Sequence, residues 1–137
     1  MKKQFYPIPI ILITVITSAA LLTAPDNKVY TVQEALNNYE ELEGKTITIQ
    51  GEVKQGSIAC TQMFCGNNSC CNSCSGGVKL GENPSLPLKG ANLSCSGNEC
   101  NITCTPQTGK EYAVKGILNQ SYGQKHFQIE KYSKVKQ

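Results

Sequence analysis

The residues with the most chemistry to offer are eight cysteines: Cys60, Cys65, Cys70, Cys71, Cys74, Cys95, Cys100 and Cys104. Cysteines oxidise pairwise to disulfides, bind zinc as sets of thiolates with or without histidine, or attack a substrate disulfide from a Cys-x-x-Cys pair. Cys71-Asn72-Ser73-Cys74 has the spacing of one zinc knuckle or one redox pair. No second Cys-x-x-Cys answers it, and the lone histidine, His126, sits in a stretch whose alternation turns it away from Phe127. Gly76-Gly77 follows the pair at once, where a redox thiol would need a helix start to lower its pKa. An even count puts a disulfide framework first, with metal binding and a thiol–disulfide enzyme using Cys71 and Cys74 as the alternatives.

Parity constrains the pairing further. Five cysteines precede the 20-residue gap between Cys74 and Cys95 and three follow it, so complete internal pairing sends an odd number of bridges across that gap. Closing a loop of that size stabilises the fold by roughly 3 kcal/mol in the chain-entropy description. Staples are needed there. Counting Val, Ile, Leu, Met, Phe and Tyr, residues 29–53 hold 9 and residues 110–135 hold 9, yet positions 54–109, a stretch more than twice as long, hold only 9. That middle segment also contains 8 of the 12 glycines, and a chain so poor in apolar side chains cannot rest on burial alone.

Other chemistry is thinly represented. There is no Gly-x-Ser-x-Gly elbow, phosphate-binding loop or multi-histidine set in the 137 residues, so neither an enzyme nor a cofactor is expected. The acidic residues Glu40, Glu41 and Glu43 read as a solvated surface. The lysines 125, 131, 134 and 136 read as a frayed solvated end. Four Asn-x-Ser/Thr sequons begin at Asn67, Asn92, Asn101 and Asn119. The 13 basic residues are all lysine; without residues 1–24, 11 lysines face 10 acids, for a formal charge of +1. A near-neutral chain without guanidinium groups lacks the forks that clamp phosphate and read guanine, which argues against nucleic acid as a partner.

The N-terminus carries an address. Lys2 and Lys3 precede a charge-free apolar run from Gln4 to Pro25. Residues 1–24 therefore read as a secretory signal peptide, with Ser18-Ala19-Ala20 as a small-residue cleavage site, or as an uncleaved membrane anchor through residues 5–24. Either reading places residues 25–137 outside the cytoplasm, secreted, periplasmic or tethered, as a single domain.

The elements that position the cysteines come from the flanks. Thr31-Val32-Gln33-Glu34 is a capping box opening a short helix through Ala35, Leu36 and Tyr39, and Gly44 ends that region. From Thr46 to Val53 the chain alternates, placing Ile47, Ile49 and Val53 on one face and Thr48, Gln50 and Glu52 on the other. Tyr112 to Leu118 repeats the pattern with Lys115 outward, Ser121-Tyr122-Gly123-Gln124 turns the chain, and Phe127 and Ile129 mark a last strand. Both long strands carry an internal glycine, Gly51 and Gly116, each expected to mark a bend or bulge.

The segment Gly44 to Val53, paired with Tyr112 to Leu118, a turn and Phe127-Gln128-Ile129, resembles the first and last strands of OB-fold domains of exported bacterial proteins. It implies an all-β fold: a small five-stranded OB-like barrel with a short N-terminal helix, its second and third strands drawn from the cysteine-rich insertion 54–109, where Val78-Lys79-Leu80 is the clearest strand. It also implies a ligand lying across one barrel face and its loops, which in such barrels is an oligonucleotide or an oligosaccharide. The expected function is a non-catalytic exported binding or interaction module for a glycan or protein, engaged through Thr48, Gln50, Glu52, Lys115 and Tyr122. The alternative is an envelope-anchored structural or accessory protein of a larger assembly.

Overall fold

A computed structural model describes residues 28–136, and the fold is all-β with two short helices near its start. The elements are β1 (Val29–Thr31), α1 (Val32–Asn37), α2 (Tyr39–Leu42), β2 (Thr46–Cys60), β3 (Ser73–Leu80), β4 (Leu86–Lys89), β5 (Ser94–Asn98), β6 (Asn101–Thr105), β7 (Glu111–Ser121) and β8 (Gln124–Lys134). The expected leader, residues 1–24, lies outside the described residues. Among those described, no helix is long and apolar enough to cross a membrane.

The capping box forms. The Thr31 hydroxyl accepts from Glu34 N at 3.2 Å, and the Glu34 carboxylate accepts from Thr31 N at 2.8 Å. Donors that a helix start leaves unpaired are filled in this way. The backbone bond from Thr31 holds the Glu34 carboxyl below its ordinary pKa. Val32, Ala35, Tyr39 and Leu42 turn inward, at the spacing of a helix with one apolar face. Gly44 then leaves the helical region at φ 74, a left-handed conformation that favours glycine.

β2 alternates as its sequence requires, burying Ile47, Ile49 and Val53. It continues to Cys60 because a second partner takes over: β7 pairs with Thr46 to Glu52, and β3 pairs with Val53 to Cys60. The two mid-strand glycines differ. Gly116 sits at a bulge against β8, where a Cβ would lie 2.2 Å from the Gln128 carbonyl oxygen. Gly51 pairs regularly with Tyr112, contrary to expectation, and its missing side chain instead lets Leu80 and Val32 close over the strand. The irregularity in β2 falls between Gln55 and Ile58.

The eight strands form one ring-like sheet in the order β1-β2-β7-β8-β4-β3-β5-β6, and the additional β2–β3 pairing returns it upon itself. Within the ring, Leu88 and Lys89 of β4 run parallel to Phe127 and Gln128 of β8. Between β4 and β7 in the chain lies the β5–β6 hairpin, carried by β3. Ile49, Val53, Leu80, Leu86, Val114, Leu118 and Phe127 are fully buried inside, so the cysteine-rich middle contributes core leucines as well as staples. Tyr122 (φ 50) and Gly123 (φ 78) make a two-residue turn, of the kind whose twist suits an antiparallel pair. β8 does not fray where its lysines begin: it stays paired to Lys134, with Tyr132 edge-on to Tyr112 at 5.8 Å.

Candidate functional site: a groove across three strands

The cysteines set the frame. They form four bridges, Cys60–Cys74, Cys65–Cys71, Cys70–Cys100 and Cys95–Cys104, leaving none free. One of the four, Cys70–Cys100, crosses the gap, as the odd count demands. Cys71 and Cys74 are joined to Cys65 and Cys60 and not to each other. Cys60 faces Cys74 across the β2–β3 ladder, and Cys95 faces Cys104 across β5–β6. Thr61 N donates to Ser73 O at 2.9 Å, which makes Cys60 and Cys74 a non-hydrogen-bonded pair, the position where cross-strand side chains stand closest. Four bridges fit an oxidising, extracytoplasmic compartment.

The Cys60–Cys74 bridge fixes the β2–β3 register, and that register creates a groove. It has a volume of about 480 Å³ and runs across Gln55, Gly56 and Ser57 of β2, Gly77, Val78 and Lys79 of β3, and Ser85, Pro87, Leu88 and Lys89 at β4. Gln55 pairs with Val78 and Ile58 with Gly76, so Gly56 and Ser57 together oppose Gly77 and the ladder is interrupted there. The glycines permit this approach: a Cβ on Gly56 would lie 3.0 Å from the Gly77 oxygen, whereas one on Gly77 would point into open space. Val78 and Leu88 are buried beneath, and the polar lining consists of Gln55, Ser57, Ser85 and two lysines, with no carboxylate. Lys89 Nζ lies 3.3 Å from Ser121 Oγ, which ties the β4 wall to the β7–β8 turn and its fully exposed Tyr122.

The surface expected from alternation is brought together in part. Thr48 stands opposite Lys115 across β2–β7, and both border a separate hollow of about 420 Å³ with Ala113, Lys131, Tyr132 and Ser133. Gln50 donates to Glu111 at 3.1 Å, and Glu52 pairs with Lys54 at 2.8 Å, which lifts the Lys54 ammonium above its usual pKa. Tyr122 stands apart at its turn. Alternation along β2 and β7 did not point to the groove; the signal present in the sequence is the absence of any charged residue from Gln55 to Val78, combined with Gly56 and Gly76-Gly77.

His126 is buried, like its neighbour Phe127 on the opposite face of β8. Its Nδ1 lies 3.4 Å from Ser121 Oγ, a long hydrogen bond whose donor depends on the imidazole tautomer. The Tyr39 hydroxyl donates to the Glu43 carboxylate. Burial and that bond push its pKa up to about 12.

No family model matches this chain, and neither a curated protein nor a solved structure is significantly similar to it.

Proposed function

We propose that the protein is a non-catalytic, exported binding module whose ligand lies in the groove across β2, β3 and β4. The observation that carries this reading is the interrupted β2–β3 ladder, where Gly56, Ser57 and Gly77 line a groove together with buried Val78 and Leu88. An apolar floor with a few hydrogen-bonding groups at its rim is the usual make-up of a ligand cleft. Around the ring β2, β3, β4, β8 and β7 follow one another, with β4 and β8 parallel, and this order supports an OB-like five-stranded barrel. In such barrels the second and third strands and the loops after the first and fourth strands bind the ligand. Here those are β3, β4, the stapled loop 61–72 and the turn at Tyr122.

The ligand class is an uncharged or weakly acidic glycan, or an extended protein edge. Gln55, Ser57 and Ser85 offer hydrogen bonds, while Lys79 and Lys89 supply only two positive charges. Two phosphate contacts to a single strand give a salt slope of about −1.4, too shallow for nucleic-acid affinity to rest on. Export through residues 1–24 completes the reading.

The test is a heteronuclear NMR titration of the disulfide-intact protein with oligosaccharides, extended peptides and a single-stranded DNA. Saturable shifts at Gly56, Ser57, Gly77, Lys79 and Ser85 with a glycan or peptide support the proposal. Shifts confined to the Thr48 and Lys115 hollow, or salt-dependent micromolar DNA binding, refute it.

A further inference from the structure

Beyond the groove, the β2–β3 hairpin ends in a loop with an unusual display. Phe64 is completely exposed, and Met63, its neighbour in the chain, is 58% exposed. A solitary apolar side chain on a surface requires no explanation. This pair differs because the backbone beneath it is fixed from several directions. Cys60–Cys74 closes the loop at its base, Cys65–Cys71 clasps it directly after Phe64, and Cys70–Cys100 ties it to the β5–β6 turn.

Asn72 pins what the bridges leave loose. Its side chain is buried; its Oδ1 accepts from Met63 N at 2.7 Å and from Thr61 Oγ1 at 3.1 Å, and its Nδ2 donates to Glu99 at 3.0 Å. Held this way, the loop presents two apolar anchors on a backbone that is already ordered, so docking leaves only their side-chain freedom to be lost, which is how pre-organisation raises affinity. Aromatic residues and methionine are also the side chains enriched where proteins meet.

We propose that Met63 and Phe64 form a docking knuckle that inserts into an apolar, uncharged pocket of a partner protein. Charge decides the kind of partner. No charged residue occurs from Gln55 to Val78, so the loop end of the hairpin, beyond Lys54 and Lys79, carries no lysine to hold an anionic lipid surface, and the exposed Glu99 bonded to Asn72 places a negative charge beside it. The exposed polar residues of the same loop, Gln62 and Asn67, are neutral and match neutral hydrogen-bonding groups around a pocket. This surface is additional to the groove and rests on the reading of the protein as a binding module.

The experiment places a photoreactive benzoylphenylalanine at position 64, or at exposed Glu130 as a control, in the full chain made in its native cells. Any adduct is identified by mass spectrometry, and the purified partner is titrated against native protein, Phe64→Ser, Lys79→Ala and the paired Cys65→Ser/Cys71→Ser variant. The expected outcome is one protein captured from position 64 and not from 130. Its affinity falls at least tenfold with Phe64→Ser and several-fold without the Cys65–Cys71 clasp. The melting temperature of Phe64→Ser matches native, and Lys79→Ala leaves knuckle binding unchanged, which separates failure here from failure of the groove. Adducts to lipid, Phe64-dependent flotation with phosphatidylcholine vesicles, adducts to a second copy of the chain, absence of a specific adduct, or a partner that binds Phe64→Ser as tightly as native each overturn the proposal.

Discussion

Replacing Gly116 with alanine tests the ring closure at its tightest point. The added Cβ would lie 2.2 Å from the Gln128 oxygen and 2.8 Å from the Ile129 Cα, both backbone atoms of β8 that cannot rotate away. Relief requires β8 to separate from β7 at the bulge between Lys115 and Gly116, disturbing the packing of Ile129. Overpacking of this type costs about 1–3 kcal/mol, and contact with backbone puts this site at the upper end. Gly51 supplies the matched control, because its Cβ would meet only the Leu80 side chain, at 3.2 and 3.4 Å, and Val32 at 3.6 Å. A small steric cost there is offset by the roughly 0.4–1 kcal/mol that alanine contributes by restricting the unfolded chain. Guanidinium denaturation without reductant reads both. With a slope of about 3 kcal/mol per molar, Gly116→Ala should lower the midpoint by about 1 M and Gly51→Ala by less than about 0.3 M. Equal midpoints for the two variants would refute the assignment of Gly116 to the β7–β8 bulge.

Disulfide mapping should recover a peptide linking Cys70 to Cys100 and none linking Cys71 to Cys74. Removing the former pair as Cys70→Ser/Cys100→Ser should cost roughly 3–4 kcal/mol, the chain-entropy value for a loop of that length. Tyr39 should titrate near pH 12, well above an ordinary tyrosine, in phenolate absorbance. Since folding favours its neutral form, the associated stability is intact below pH 10 and lost between 10 and 12. Tyr39→Phe should remove that part of the high-pH decline, and an unchanged decline contradicts the burial of the phenol. Ile49→Asp should unfold the domain even with its bridges intact, because Ile49 is fully excluded from solvent and a carboxylate there has no partner. A native-like circular dichroism spectrum for this variant would show that its strand faces the other way.

The parts of this fold visible in the sequence are those governed by local rules. Thr31 and Glu34 announce a helix start over a single turn, and Ile47, Ile49 and Val53 declare a buried face by period alone. β5 and β6 are hidden because Cys95 and Cys104 serve as their core side chains, and counting only aliphatic and aromatic residues leaves β5 empty and β6 with Ile102 alone. β4 is masked by Pro87, which reads as a strand breaker yet is tolerated in an exposed position of a short strand. The groove is less legible still. Gly56 and Gly77 meet only once the Cys60–Cys74 register is set, and connectivity among eight cysteines has no local signature. The same holds for Gly51, whose smallness serves Leu80, a residue far along the chain.

Binding in the groove is tested most directly by filling it. A Cβ on Gly77, which lines the groove, meets nothing within 4 Å, so the substitution Gly77→Trp starts from an unhindered position and adds a large ring at the groove. Calorimetric titration of native protein and Gly77→Trp against the same oligosaccharides and peptides, with melting temperatures recorded alongside, is the decisive comparison. Equal melting and at least a hundredfold loss of affinity are expected for the filled variant; a ligand that binds both proteins equally would contradict binding in the groove.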